Sequence, residues 1–356
     1  MENKGGKSGD FRGISQAPGS TAGSGCLSVF PVPFSGGDTG SKQASRFRGL
    51  ALHYPSWIGG WVEGMETIWT AIAQRISATT GTPFAIQSRH SVGGGCINSA
   101  TILKDGNHRY FVKLNDTARL AMFEAEAEGL KDIARTRSVR VPLPVCSGTA
   151  DGSAYLVLEH LDLESADARS LEQLGWELAR MHRATQKEFG WRLDNTIGST
   201  PQINTPCADW VEFWREHRLG FQLRLAMRNG HDLMHKGERL MAELGSFFRT
   251  YRPVPSLLHG DLWGGNVGAA EQQPVIFDPA VYYGDREADI AMTELFGGFS
   301  ARFYQAYRET WPLDAGYQVR KTLYNLYHVL NHFNLFGGGY GSQAERMLEA
   351  LLSELR

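Results

Sequence analysis

Asp261, Asn266 and Asp278 are the residues of this chain whose types and spacing can do chemistry together. Asp261 and Asn266 lie in Leu257-Leu258-His259-Gly260-Asp261-Leu262-Trp263-Gly264-Gly265-Asn266, and Asp278 follows the apolar run Pro274-Val275-Ile276-Phe277. Transfer of a phosphoryl group to a hydroxyl needs the acceptor oxygen held in line, and a carboxylate such as Asp261 can orient it and take its proton. Mg²⁺ across the phosphates favours carboxylate and amide oxygens, which Asp278 and Asn266 supply. Gly, Asp and Asn are also ordinary turn residues, but a turn does not demand all three at this spacing beside a strand-like run. The spacing is that of protein-kinase-like phosphotransferases. It predicts phosphoryl transfer from ATP, with Asp261 as base, His259 bracing its loop, and Asn266 and Asp278 holding Mg²⁺.

Further candidates lie upstream. Lys113 ends the β-prone run Tyr110-Phe111-Val112, and Glu126 sits in the following helix within Phe123-Glu124-Ala125-Glu126. A strand lysine held by a helix glutamate can reach the donor phosphates. Glu126 is favoured over Glu124 because it shares a helix face with Leu130. Gly93, Gly94 and Gly95 remove the Cβ barrier to a close backbone approach, so their amides could cradle the phosphates; three glycines also suit a plain hairpin loop. Cys96, beside them, is a candidate reactive thiol. The backbone of Glu159, His160 and Leu161, after a strand over Tyr155-Leu158, is placed to hydrogen-bond adenine. Trp263, Asn195 and His332 are candidates for the acceptor side, and a hydrogen-bonded helix position is the plainer reading of His332. Asp285 reads as a helix N-cap with Glu287 in the first turn. Asp289, among apolar helix residues, is expected to accept hydrogen bonds from the catalytic loop.

These groups need elements to hold them. Residues 1–62 are rich in Gly and Ser and lack sustained periodicity, so they read as a disordered extension; Met65 could equally be the native start. Ile68, Ile72 and Ile76 recur at helical spacing up to Thr79-Thr80-Gly81. Strand-like segments follow at 84–87, 100–103 and 110–114, with Asp105-Gly106-Asn107 as a hairpin turn. A helix over 117–135 and strands near 141–142 and 155–158 complete a lobe spanning 65–160. Residues 161–356 read as mainly helical. The expectation is an α+β, two-lobed, protein-kinase-like fold, with a small antiparallel β lobe bearing one main helix and a larger helical lobe.

Composition sets the outer limits. The 356 residues are 42% hydrophobic and 21% charged, with a net charge of −2, so nothing points to a nucleic acid or a membrane surface as partner. No apolar run approaches the ~20 residues that span a bilayer. Cys26, Cys96, Cys146 and Cys207 lack the spacing of a metal site and suit a reducing cytoplasm.

From Met65 onward the chain resembles the fructosamine and ketosamine 3-kinase family. The likeness rests on Val92-Gly93-Gly94-Gly95-Cys96-Ile97, Phe111-Val112-Lys113, Phe189 to Ser199 (FGWRLDNTIGS), His259 to Asn266 (HGDLWGGN), Asp278-Pro279-Ala280 and Gly284 to Phe296 (GDREADIAMTELF). The resemblance implies ATP-dependent phosphorylation of a sugar hydroxyl on a free or protein-bound ketosamine, such as fructosyl-lysine or ribulosyl-lysine, in deglycation repair. It also implies a monomer or a redox-sensitive homodimer, the thiol being Cys96. An aminoglycoside- or choline-kinase-like activity and a non-catalytic nucleotide-binding regulator are the competing readings. Aminoglycosides and choline are cationic and would call for an acidic acceptor pocket.

Overall fold

Period-two alternation in the strands organises the small lobe. In the computed structural model, which describes residues 58–93 and 97–355, five strands form one antiparallel sheet in the order β1-β2-β3-β5-β4. They are β1 (Ser88–Val92), β2 (Ser99–Lys104), β3 (Arg109–Asp116), β4 (Pro144–Ala150) and β5 (Ser153–Glu159). Val112, Tyr155 and Val157 face one side, where Ile68, Trp69, Ile72 and Ile76 of helix α1 (Ile58–Thr80) cover them. Phe111, Ala154, Leu156 and Leu158 face the other, against Phe123, Leu130 and Ile133 of helix α2 (Leu120–Arg135). Two helices, both at positions where the sequence shows helical periodicity, therefore sandwich the sheet. Both faces of β3 and β5 must be apolar for this, which explains their nearly continuous hydrophobic runs.

Three boundaries differ from the sequence reading. Helix α1 begins at Ile58 and takes in residues 58–62, which the composition had assigned to the extension. Gly59-Gly60 and the Gly- and Ser-rich composition ahead of them hid this start from the sequence reading. The first strand is Ser88–Val92 and not 84–87; it is a polar edge strand without the alternation that reveals strands, while Phe84 is buried against α1. Val141-Pro142 forms no strand, consistent with a residue that lacks an N–H; the chain enters β4 at Pro144. The proposed extension up to residue 57, and Gly94, Gly95 and Cys96, lie outside the described residues.

The large lobe contains helices α3 (Ala168–Met181), α4 (Trp210–Trp214), α5 (Gly220–Arg228), α6 (Met234–Ala242), α7 (Glu287–Leu295), α8 (Ala301–Thr310), α9 (Tyr317–Phe336) and α10 (Tyr340–Ser353). A short hairpin joins β6 (Asn195–Ile197) to β7 (Thr200–Gln202). Two further ribbons carry the site. Strand β8 (Ser256–Leu258) pairs with β11 (Tyr282–Gly284), and β9 (Val267–Ala270) pairs with β10 (Gln273–Ile276). Among the described residues no helix is long and apolar enough to cross a membrane.

Candidate active site

Residues 259–266 run from β8 to β9, and 277–281 run from β10 back to β11, so two loops lie side by side between the same two ribbons. They are stitched together: Ala280 N donates to His259 O (2.8 Å), and Phe277 N donates to Asn266 O (3.1 Å). Gly260 has φ +82°, and a Cβ there would stand 2.1 Å from Ala280 O, so only glycine fits. Asp278 holds φ +56°, a left-handed conformation uncommon for a residue with a side chain.

His259 is fully buried, and both ring nitrogens are engaged. Nε2 bonds the Phe277 carbonyl at 2.9 Å and Nδ1 lies 3.3 Å from the Asp261 amide, a set satisfied by the neutral Nε2–H tautomer. Burial pushes its pKa down, against the pull of Asp289. His259 thus braces the loop, with no free nitrogen to move a proton. Asp289 of α7 accepts from His259 N (2.7 Å), Gly260 N (2.8 Å) and His182 Nε2 (3.1 Å), as the sequence predicted. Asp285 caps α7, its Oδ1 accepting from Glu287 N at 3.1 Å; it is also buried and accepts from Tyr251 (2.8 Å) and Tyr324 (2.5 Å), while Glu287 pairs with Arg320. The cap is local and legible; the tyrosine and arginine partners are distant in sequence and leave no local signal.

Lys113 Nζ lies 2.6 Å from Glu126 Oε1 and 2.6 Å from Asp278 Oδ1. Burial pulls its pKa down, but the two carboxylates outweigh that and hold the ammonium above its usual range. Glu124 is exposed, so the choice of Glu126 holds. Asn266 Nδ2 donates to Asp261 O (2.8 Å) and Oδ2 (3.3 Å), leaving its side-chain oxygen as the end that can ligate a cation. Among the described residues no cluster of three or more His, Cys, Asp or Glu can hold a metal. A carboxylate and an amide oxygen fit Mg²⁺, which keeps waters and takes phosphate oxygens. Asp261 lines the same cleft; burial, and then the Asp278 carboxylate, raise its pKa to about 7.

The other end of the cleft is lined by Trp263, Thr196, Ile197, Asn331, His332 and Phe336. The Trp263 indole folds over Gly265, with ring atoms 2.3 Å from where a Cβ would stand. His332 Nδ1 bonds His328 O at 2.8 Å, so Nε2 is the acceptor nitrogen, and the ring stands among Phe296, Phe336 and Tyr340. Asn195 also lines the cleft, yet its amide is spent on the scaffold: Nδ2 donates to Val281 O, and Oδ1 accepts from Gln202 and Asn204. It frames the pocket and is not a free contact. Gly93 is exposed at the end of β1. The N–H of Glu159 donates to Leu143 O and its carboxylate pairs with Arg140, so Glu159 cannot offer that N–H to adenine. His160 and Leu161 border a separate hollow with Arg109 and Asp162 and do not line the cleft that holds Asp261.

This two-lobed fold, with Lys113, Asp261, Asn266 and Asp278 gathered between the lobes, defines a protein-kinase-like phosphotransferase with an alcohol acceptor. The chain belongs to the fructosamine kinase family, whose profile matches residues 68–354. It is 52% identical to a Synechocystis protein assigned as a ketoamine kinase, over 80% of this chain and 97% of that one. It is 45% identical to a chloroplastic protein-ribulosamine 3-kinase of Arabidopsis thaliana, over 78% and 86% of the respective lengths. Among solved structures, a Haemophilus somnus protein assigned as a fructosamine-3-kinase superposes with TM-score 0.77 at 30% identity, over 82% of this chain and 99% of that one. An aminoglycoside phosphotransferase bound to ADP and hygromycin B superposes with TM-score 0.51 at 15% identity, over 78% and 98%, which shows the fold alone.

Proposed function

We propose that this protein uses ATP to phosphorylate a sugar hydroxyl of free or protein-bound ketosamines of the fructosyl-lysine or ribulosyl-lysine type, as a step in deglycation. The observation that carries the reading is the position of Asp261. Asp261 lines one cleft together with the Lys113–Glu126–Asp278 cluster and with Trp263 and His332, so donor and acceptor can meet at its carboxyl group. In this reading Asp261 orients the acceptor hydroxyl and takes its proton as the oxygen attacks the γ-phosphorus and ADP leaves. Lys113 exchanges its contact with Asp278 for the donor phosphates, and Glu126 keeps the ammonium aimed. Asn266 and Asp278 would hold Mg²⁺, which when bound neutralises charge across the β- and γ-phosphates. The glycines from Gly93 onward are assigned to those phosphates on their sequence alone. Trp263 packs on the sugar, and His332 Nε2 accepts from one of its hydroxyls.

The acceptor end favours a neutral polyol over a polycation. Among the described residues the carboxylates lining the cleft are Glu126, Asp261 and Asp278, each already given a role in phosphoryl transfer, whereas an aminoglycoside would need further acids around its ammonium groups. A cytoplasmic setting suits the free thiols of Cys146 and Cys207. The test is Asp261→Asn, assayed for phosphate transfer to fructosyl-lysine and for binding of a non-hydrolysable ATP analogue with Mg²⁺. Turnover should fall by ~10³-fold or more with nucleotide affinity within a few-fold of the parent. Near-normal turnover would remove Asp261 from the role of base.

A further inference from the structure

We infer that Trp191 and Arg192 of the large lobe are positioning residues for the Lys113–Glu126 pair, clamping helix α2 so that the nucleotide side of the cleft is set in the resting protein. The Arg192 guanidinium spans one turn of α2: Nη1 donates to Asp132 Oδ2 (2.5 Å) and Nη2 donates to Glu128 Oε2 (2.5 Å). Trp191 Nε1 donates to the same Asp132 oxygen at 2.9 Å, and the guanidinium stacks 4.8 Å over the Trp191 ring. The segment that bears them is fixed in turn. Trp191 N donates to Asn204 O, and Gly190 and Tyr283 exchange backbone hydrogen bonds at 2.9 Å.

A second contact locks the same helix from beneath. A Cβ on Gly129 would stand 2.9 Å from Val281 Cγ2, so α2 lies directly on the loop that follows Asp278. Any swing of α2 that withdraws Glu126 from Lys113 must break the Asp132 and Glu128 contacts. It would also leave the buried Lys113 ammonium short of a partner, an expensive state. Single exposed ion pairs contribute little; this one is forked, stacked on an indole and part of a network of six side chains that also takes in Lys131 on Glu128 and Arg135 on Asp132.

The inference rests only on the nucleotide-binding part of the reading above, so its test needs no acceptor. Binding of a non-hydrolysable ATP analogue with Mg²⁺ is measured on the full chain, on Arg192→Ala, on Glu126→Gln and on the double variant. Arg192→Ala and Glu126→Gln should each weaken binding about tenfold, while Arg192→Ala in the Glu126→Gln background should cost less than about twofold, because the clamp acts through Glu126. Arg192→Lys, which keeps the charge but loses the fork, should fall between the parent and Arg192→Ala. Parent-like binding by Arg192→Ala, or penalties that multiply in the double variant, would overturn the clamp. Failure to phosphorylate a ketosamine would overturn the functional reading and leave this cycle intact.

Discussion

At the scale of single residues, the Asp261 carboxyl carries the sharpest expectations. With its pKa raised to about 7, first by burial and then by Asp278, the nucleotide-free protein should lose activity in kcat/KM as pH falls through about 7, because the base becomes protonated. The same shift bears on stability with a definite sign. The folded protein binds a proton that the unfolded chain releases between about pH 4 and 7, so stability falls as pH rises across that window. Above it the cost reaches up to about 4 kcal/mol, reduced by whatever solvent enters the cleft. Asp261→Asn should therefore melt higher than the parent at pH 8 and close to it near pH 4; equal melting shifts at both pH values would contradict the raised pKa. Asp261, Asn266, Asp278 and Lys113 were legible in the sequence because phosphoryl transfer dictates their chemistry and spacing. The fully engaged rings and amides of His259 and Asn195 were not, because hydrogen-bond saturation depends on Phe277, Gln202 and Val281 arriving from elsewhere.

At the scale of elements, two glycines and one helix carboxylate hold the catalytic loop. Gly260→Ala combines a positive φ with a clash at 2.1 Å against Ala280 O, so it should cost ~3 kcal/mol or more and abolish turnover, read by thermal melting beside the rate. Gly265→Ala meets only the far ring atoms of Trp263, which can move. It should raise KM for the acceptor several-fold while KM for ATP stays within about twofold; the reverse split would detach Trp263 from the acceptor. Asp289→Ala removes the acceptor of two backbone N–H groups and leaves them buried, an expected loss of ~3 kcal/mol by denaturant unfolding. Strands β3 and β5 announced themselves by apolar runs, and α1 by its isoleucines. The edge strand β1 escaped because Ser88-Arg89-His90-Ser91-Val92 has no buried face to impose a pattern.

At the scale of the whole molecule, two lobes share one extended core that runs from Phe111 and Leu156 through Leu257 and Phe277 to Leu330. Buried, neutral imidazoles sit in the large-lobe part of it: burial lowers the pKa of His182 and His259, and that of His328 to about 3. The unfolded chain protonates these rings below about pH 6.5 and the folded one does not, so they contribute stability that is lost as pH falls. The matched family region opens at residue 68, within α1. A chain beginning at Ile58 should therefore keep turnover within about twofold of the full length. The lobes were legible as a run of short strands followed by helices; the sandwiching of the sheet by α1 was not, since periodicity gives a face and not its partner. The central claim is that the acceptor is a ketosamine. It is tested most directly by detecting the phosphorylated product after incubating the protein with ATP, Mg²⁺ and, in parallel, fructosyl-lysine, ribulosyl-lysine and an aminoglycoside. Transfer to one or both ketosamines, with the aminoglycoside slower by at least about a hundredfold in kcat/KM, is the expected result; preferential transfer to the aminoglycoside, or no transfer to either ketosamine, would contradict it.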